Sequence, residues 1–440
     1  MNRMILLLLV FVLVTGACTL TQREPTPETE TQTVVPTLTA TLTETSAPSS
    51  TPTEVPAPPE TSTPTASPEP FISPTPLETG VSDLIPLASG QPVTITQISM
   101  FDAANGWGIG NQAHSGDRIL ITADGGQTWS ERTPPVTAPA PPTGVLVAWA
   151  YFANPQSAWA VFVPEGPPPV DAPVVWRTQD GGNSWQASTP LPVTGDDAWF
   201  QPEGFAFVNE NTGWLLVHVG AGMSHDYSDL FFTQDGGQNW ERIIDPYGNG
   251  LQSLHNTGLA FADAQFGWVT KDNIGVMPGA FLEQTRDGGL TWENIFLPAP
   301  AEIDWINEPS QCATSSPVFP EPGVGIVLVN CQTFDQQQTF SYTYRTSDQG
   351  NTWQSAQLAT PAQSLIFIDA QNAYALGRDL YRSTDSGSSW IQFKSVNWIG
   401  QFSFVDAQTA WAVARNNGQI ALVYTIDGGQ TWQMLAPITQ

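Results

Sequence analysis

Seven aspartates stand in one repeated setting, and an array of carboxylates is the first place in this 440-residue chain to look for acid–base or metal chemistry. The copies are Thr122-Ala-Asp124-Gly-Gly-Gln-Thr-Trp129, Thr178-Gln-Asp180-Gly-Gly-Asn-Ser-Trp185, Thr233-Gln-Asp235-Gly-Gly-Gln-Asn-Trp240, Thr285-Arg-Asp287-Gly-Gly-Leu-Thr-Trp292, Thr346-Ser-Asp348-Gln-Gly-Asn-Thr-Trp353, Ser383-Thr-Asp385-Ser-Gly-Ser-Ser-Trp390 and Thr425-Ile-Asp427-Gly-Gly-Gln-Thr-Trp432. Seven equivalent carboxylates argue against catalysis, which needs a few groups in unlike environments. A second set of ligand-type residues, His218, His225, Asp226 and Asp229, gathers around the insertion at 219–229 and has a metal-binding composition; a solvated polar loop is the plainer account, and no metal or other cofactor is expected. Cys312 and Cys331 form a pair within one repeat, without metal-site spacing, and are expected to be disulfide-bonded. The His-Glu-x-x-His, phosphate-loop and Gly-x-Ser-x-Gly signatures are absent from the sequence.

The elements that position these groups follow from the spacing. In each box the Asp carboxylate can accept hydrogen bonds from amides two or three residues on, Gly takes positive φ, and Trp buries a large aromatic surface between sheets. The box aspartates are 56, 55, 52, 61, 37 and 42 residues apart, close to the length of a four-stranded propeller blade. A second motif precedes six of the boxes: an apolar run, an Asp or Asn turn, a small residue and an aromatic, as at Gly106-Trp107, Ala158-Trp159, Gly213-Trp214, Gly267-Trp268, Ala373-Tyr374 and Ala410-Trp411. Alternation followed by a turn reads as antiparallel hairpins. The expected fold is all-β: a single seven-bladed β-propeller of four-stranded antiparallel blades over 81–440, with blades near 94–134, 146–190, 203–246, 255–298, 302–360, 364–398 and 401–440.

The two motifs together resemble the BNR or Asp-box repeat proteins, which include sialidases, the luminal domain of sortilin, and the photosystem II stability and assembly factors. The pattern is most similar to the assembly-factor branch and its bacterial lipoprotein relatives. The resemblance implies the propeller fold and leaves activity open. A sialidase would need three arginines on the substrate carboxylate, a Tyr–Glu nucleophile and an acid Asp; the family's Arg-Ile-Pro signature is absent. Arg177, Arg286, Arg345 and Arg382 belong to the repeats, which leaves Arg118, Arg132, Arg242, Arg378 and Arg415 with no motif to join them. The family 74 xyloglucan hydrolases place two catalytic Asp residues between two propellers, whereas this chain supplies one. The expectation is therefore a non-catalytic scaffold that binds a protein or glycan, with a sialidase-like or xyloglucanase-like glycosidase as the alternative.

The start of the chain, MNRMILLLLVFVLVTGACTL, has a basic residue, a short apolar run and small residues before Cys18. It reads as an export signal at 1–17. Its end resembles a bacterial lipoprotein signal, apart from Thr15, which implies a lipidated Cys18 and attachment to the outer face of a bacterial membrane. Residues 18–80 are Thr, Pro, Glu and Ser with few large apolar side chains, a composition expected to stay disordered as a linker. After position 80 the chain carries 33 acidic and 11 basic residues, a net charge of −22, which disfavours nucleic acid.

Of the 17 tryptophans, seven close boxes and five follow the small residue of the second motif. Among the remainder, Trp199, Trp305 and Trp398 fall in connections between repeats beside acidic residues, and these connections vary widely in length. Variable loops on a rigid scaffold tend to carry recognition, so the three tryptophans mark the expected binding face. Labelling with radioactive palmitate should mark the wild-type protein and leave Cys18→Ser unlabelled; an unlabelled wild type would remove the anchor.

Overall fold

The computed structural model describes residues 84–113, 115–136, 145–165, 173–193, 199–222, 225–245, 251, 255–273, 279–301, 310–333 and 338–440. The signal, the linker with Cys18, and Trp305 lie outside the described residues. Every regular element among the described residues is a β-strand.

The strands fall into six sheets. Sheet one holds β1 (Thr94–Met100), β2 (Gly106–Asn111), β3 (Arg118–Thr122) and β4 (Thr128–Glu131). Sheet two holds β5 (Leu146–Phe152), β6 (Ala158–Pro164), β7 (Trp176–Thr178) and β8 (Gln186–Ala187). Sheet three holds β9 (Gln201–Phe207), β10 (Gly213–Gly222), β11 (His225–Thr233) and β12 (Glu241–Ile244). Sheet four has nine strands: β13 (His255–Phe261), β14 (Gly267–Asp272), β15 (Phe281–Thr285), β16 (Glu293–Phe296), β17 (Ser310–Thr314), β18 (Val318–Glu321), β19 (Val324–Thr333), β20 (Thr339–Thr346) and β21 (Gln354–Leu358). Sheet five holds β22 (Ala362–Phe367), β23 (Ala373–Gly377), β24 (Asp379–Ser383) and β25 (Ile391–Ser395). Sheet six holds β26 (Ile399–Phe404), β27 (Ala410–Asn416), β28 (Gln419–Thr425) and β29 (Gln433–Met434). The last strand, β30 (Ile438–Thr439), returns to pair in parallel with β4.

Two features depart from separate four-stranded antiparallel blades. β30 adds a parallel fifth strand to sheet one. In the long connection after β16, β17 pairs with β19 along its length and with β14 at Asp272–Ala313, which joins two four-stranded meanders into one sheet. Cys312 and Cys331 face each other in the β17–β19 ladder and are disulfide-bonded.

The inner strands bury both faces, as adjacent sheets packed face to face require. On β10, Leu215 and Val217 point to sheet two, while Trp214 and Leu216 point to sheet four. Similar clusters join sheet one to two, the two halves of sheet four, the second half of sheet four to five, and five to six. Val93, Ile95 and Ile98 then pack on Trp411, Val413 and Leu422. First and last sheets are thus neighbours, and the arrangement is a closed β-propeller.

The boxes follow one bonding scheme. In the first, Oδ1 of Asp124 accepts from the Thr122 hydroxyl at 3.0 Å and the Thr128 amide at 2.9 Å, while Oδ2 accepts from the Thr128 hydroxyl at 2.7 Å. The Gly126 amide donates back to Thr122 Oγ1 at 2.9 Å. The same partners recur around Asp180, Asp235, Asp287, Asp348, Asp385 and Asp427, with the Asn239 side-chain amide replacing the hydroxyl in the third box. The polar residue just before each Trp is therefore as much a part of the box as the Asp. The turn needs positive φ after Asp, and Gln349 and Ser386 adopt it at 58° and 61° where other boxes have Gly.

Hydrogen bonds from Thr352 and Thr431 hold the carboxyls of Asp348 and Asp427 down to about 2. A carboxyl held low in the folded state contributes stability above its unfolded value, roughly 4, and loses that contribution as pH falls towards 2. The thermal midpoint should fall between about pH 4 and 2 in scanning calorimetry, and the fall should be smaller in the doubly substituted Asp348→Asn, Asp427→Asn protein; an equal fall would exclude the box carboxyls as its cause.

Candidate functional site

Each box turn packs on the turn between the first two strands of its own sheet, as where the Gly236 amide donates to Asn211 O. The boxes therefore mark the end of each sheet at which the first strand finishes. The chemically unusual residues lie at the opposite end, between sheet three and the first half of sheet four. Glu203 is near the start of β9, His218 late in β10, Asp226 near the start of β11, His255 at the start of β13, and Lys271 late in β14.

Glu203 and Lys271 are joined through Asn256, Asp226 pairs with His255, and His218 lies near that pair. The Asn256 side-chain amide donates to Glu203 Oε2 at 3.1 Å and to Ser228 Oγ at 2.8 Å, while Asn256 Oδ1 accepts from Lys271 Nζ at 2.7 Å. Lys271 Nζ also lies 2.9 Å from Glu283 Oε2, with both side chains almost fully buried. His255 Nδ1 is 2.8 Å from Asp226 Oδ2 at the exposed edge. Burial pushes the Glu203 carboxyl up to about 7, opposed by the Asn256 hydrogen bond and the neighbouring His255, and reinforced by the charge of Asp226. Burial lowers the basicity of Lys271, and Glu283 opposes that shift. Burial lowers the basicity of His218 and so disfavours its charged form. Its ring lies 5.9 Å from that of Trp199, which is 46 % exposed and fixed by its amide donating to Val219 O at 3.1 Å.

Strand alternation separates the residues that looked like one metal cluster. His218 is paired with Ser228 across β10 and β11 and shares its face with Asp226. Asp229 points to the other face, where Arg242 Nη1 lies 3.7 Å away and burial raises its carboxyl to about 6. Among the described residues, no group of three or more His, Cys, Asp or Glu side chains is arranged to hold a metal ion.

The expected tryptophan face is not continuous. Trp398 is half-buried, with its ring 5.3 Å from Phe402 and 5.5 Å from Trp432, because its short connection turns inward onto the sheet five–sheet six cluster. Trp199 remains as the exposed aromatic beside the polar network. The repeat arginines act between repeats: Arg177 donates to Asp235 O at 2.9 Å and Arg345 to Ser386 O at 3.1 Å across neighbouring sheets, and Arg286 to Gln349 O at 3.2 Å between the halves of sheet four. Arg118 is buried against Glu131 at 3.2 Å, and Arg415 donates to Thr96 O at 2.8 Å.

In the sequence Glu203 stands out only as an acid near Trp199, and Lys271 and Glu283 do not stand out at all. No motif joins them, and the signal that was present is a Lys where the alternation of Gly-Trp-Val-Thr-Lys calls for an inward residue. Removing one partner of a buried pair strands the other charge, at a cost of about 3–5 kcal/mol. Lys271→Met should lower the urea midpoint accordingly, and adding Glu283→Leu should recover part of the loss; no recovery would mean that the pair is not the source.

No family model matches the chain. A xyloglucanase from Paenibacillus sp is 29 % identical over 148 residues, which are 32 % of this chain and 13 % of that protein's length. Among solved structures, YCF48 bound to D1 peptide is similar with 16 % identity and a TM-score of 0.47, covering 79 % of this chain and 97 % of its own. An ulvan lyase of polysaccharide lyase family PL25, bound to -[GlcA(1-4)Rha3S]-, has 10 % identity and a TM-score of 0.46, with coverage of 78 % and 96 %. The GH74 xyloglucanase from Xanthomonas campestris has 13 % identity and a TM-score of 0.35, with coverage of 79 % and 68 %.

Proposed function

We propose that this chain is an exported, lipid-anchored and non-catalytic seven-bladed propeller, which binds a partner protein through the face opposite its boxes. Seven blades follow if the halves of sheet four are counted apart, one for each box. A single observation carries the binding reading. All seven box carboxylates are occupied within their own turns, whereas the other face presents an exposed indole against His218 and, on the strand paired with that of His218, the half-buried carboxyl of Glu203 with shifted acidity. An exposed Trp next to acidic groups suits a protein hot spot. The net charge of −28 disfavours nucleic acid as the partner.

A glycosidase is the second reading, favoured by one observation. Glu203, raised to about 7 beside Asp226, has the acidity of a general acid. Hydrolysis of xyloglucan or of a fluorogenic sialoside that is lost in Glu203→Gln would replace the binding reading. For binding, the full chain carrying Trp199→Ala should keep its thermal midpoint and lose at least tenfold in recovery of partner from native membranes; unchanged recovery would defeat it.

A further inference from the structure

We propose that the mouth between sheets three and four is a receptor for a cationic side chain, the ammonium or guanidinium group of a basic peptide segment. The proposal rests on the reading of this face as the recognition surface, and it names the chemistry recognised there.

Three independent observations converge. The first is His218, whose side chain is nine-tenths buried and whose Nδ1 has no hydrogen-bond partner among the described residues. A buried polar atom without a partner is uncommon in a folded protein and marks a place where a ligand or water completes the bonding. Alternation along β10 turns this ring towards sheet four, on the same face as its cross-strand neighbour Ser228, which accepts from Asn256. As a neutral imidazole it offers a lone pair to an N–H donor. The second is the pair of carboxyls on either side of Asn256 and His255: Glu203, which accepts from Asn256 at 3.1 Å, and Asp226, whose Oδ2 lies 2.8 Å from His255 Nδ1 and whose charge raises Glu203. Lys271, the cation within the network, is already committed to Glu283 and Asn256. The third is Trp199, whose exposed indole lies against His218 and can cover a cation with its ring face.

The groups that face the mouth come from every element packed around it: Glu203 on β9, His218 on β10, Asp226 on β11, His255 on β13, Lys271 on β14 and Glu283 on β15. Two carboxyls, a neutral ring nitrogen and an indole face form a set that accepts N–H donors and positive charge. The basic groups of the set are engaged within it, Lys271 with Glu283 and Asn256 and His255 with Asp226.

Binding carries a pH signature. Glu203 must be ionised to hold a cation, and burial keeps much of it protonated below about 7. Affinity should therefore rise from pH 6 to pH 8, by up to roughly tenfold for a single group titrating between them.

The probe is a tetralysine peptide with acetylated and amidated ends, titrated by calorimetry and by tryptophan fluorescence into the full-length protein at fixed salt. Glu203→Gln, Asp226→Asn and His218→Phe should each weaken binding about tenfold or more, and the pH dependence should vanish in Glu203→Gln. Glu321→Gln, which changes an exposed acid on β18, should leave affinity unchanged and separates the site from general attraction to an acidic surface. Equal affinity in Glu321→Gln and Glu203→Gln, or no binding of the probe, would overturn the proposal. A neutral xyloglucan oligosaccharide is titrated in parallel. If it binds with loss in Trp199→Ala while the lysine peptide does not, the face stands as a recognition surface and its cation chemistry is wrong. If partner recovery is unchanged in Trp199→Ala, the recognition face itself fails.

Discussion

The ring depends on one contact made between successive sheets: an aromatic side chain that donates to a turn carbonyl of the next repeat and packs on that repeat's first strand. Trp159 donates to Gly236 O at 2.7 Å and stacks on Phe207 at 4.0 Å. Trp214 donates to Gly288 O at 2.8 Å and lies 3.5 Å from Phe261, nearly parallel to it. Trp107 reaches Asn154 O and Tyr374 reaches Ala407 O in the same way. Trp411 donates to Gly125 O at 2.8 Å across the join between the last and first sheets. Each contact combines burial of a large ring with a satisfied polar handle, so it fixes distance and rotation together. The Asp-box turn matters because it presents a rigid carbonyl to receive three of these donors.

Two joints lack this contact: on β19 Ile326 stands where the other repeats carry the aromatic, and Trp268 makes a different bond. Trp268 donates instead to Gln284 Oε1 on the neighbouring strand, while the box carbonyl of the following repeat, Gln349 O, accepts from Arg286. The joint is made instead by β17, which pairs across to β14, and by the Tyr344 hydroxyl, which donates to Pro298 O at 2.8 Å. The disulfide lies within this substitute joint. The Lys271–Glu283 pair is in the same half-sheet, so the least regular part of the ring also holds its most polar interior.

Much of the fold was legible because its signals are local. Box, turn and aromatic recur within a few tens of residues, and alternation around them gives the strands. The network of Glu203, Asp226, Asn256 and Lys271 was not legible, because its members come from four strands of two repeats and only the packing of sheets brings them together. Alternation also explains why adjacent sequence misled: Asp226 and Asp229 are three apart and point to opposite faces. Trp398 was read as a loop residue, and nothing in its connection records that the backbone turns it onto Trp432.

The joining of first and last sheets also sets an order of assembly. Ile98 exchanges hydrogen bonds with Gln401, and the Gln440 amide donates to Trp129 O. Sheet one therefore stays incomplete, with one apolar face uncovered, until residues 399–440 are in place. A ring built from contacts more than 300 residues apart folds late and slowly.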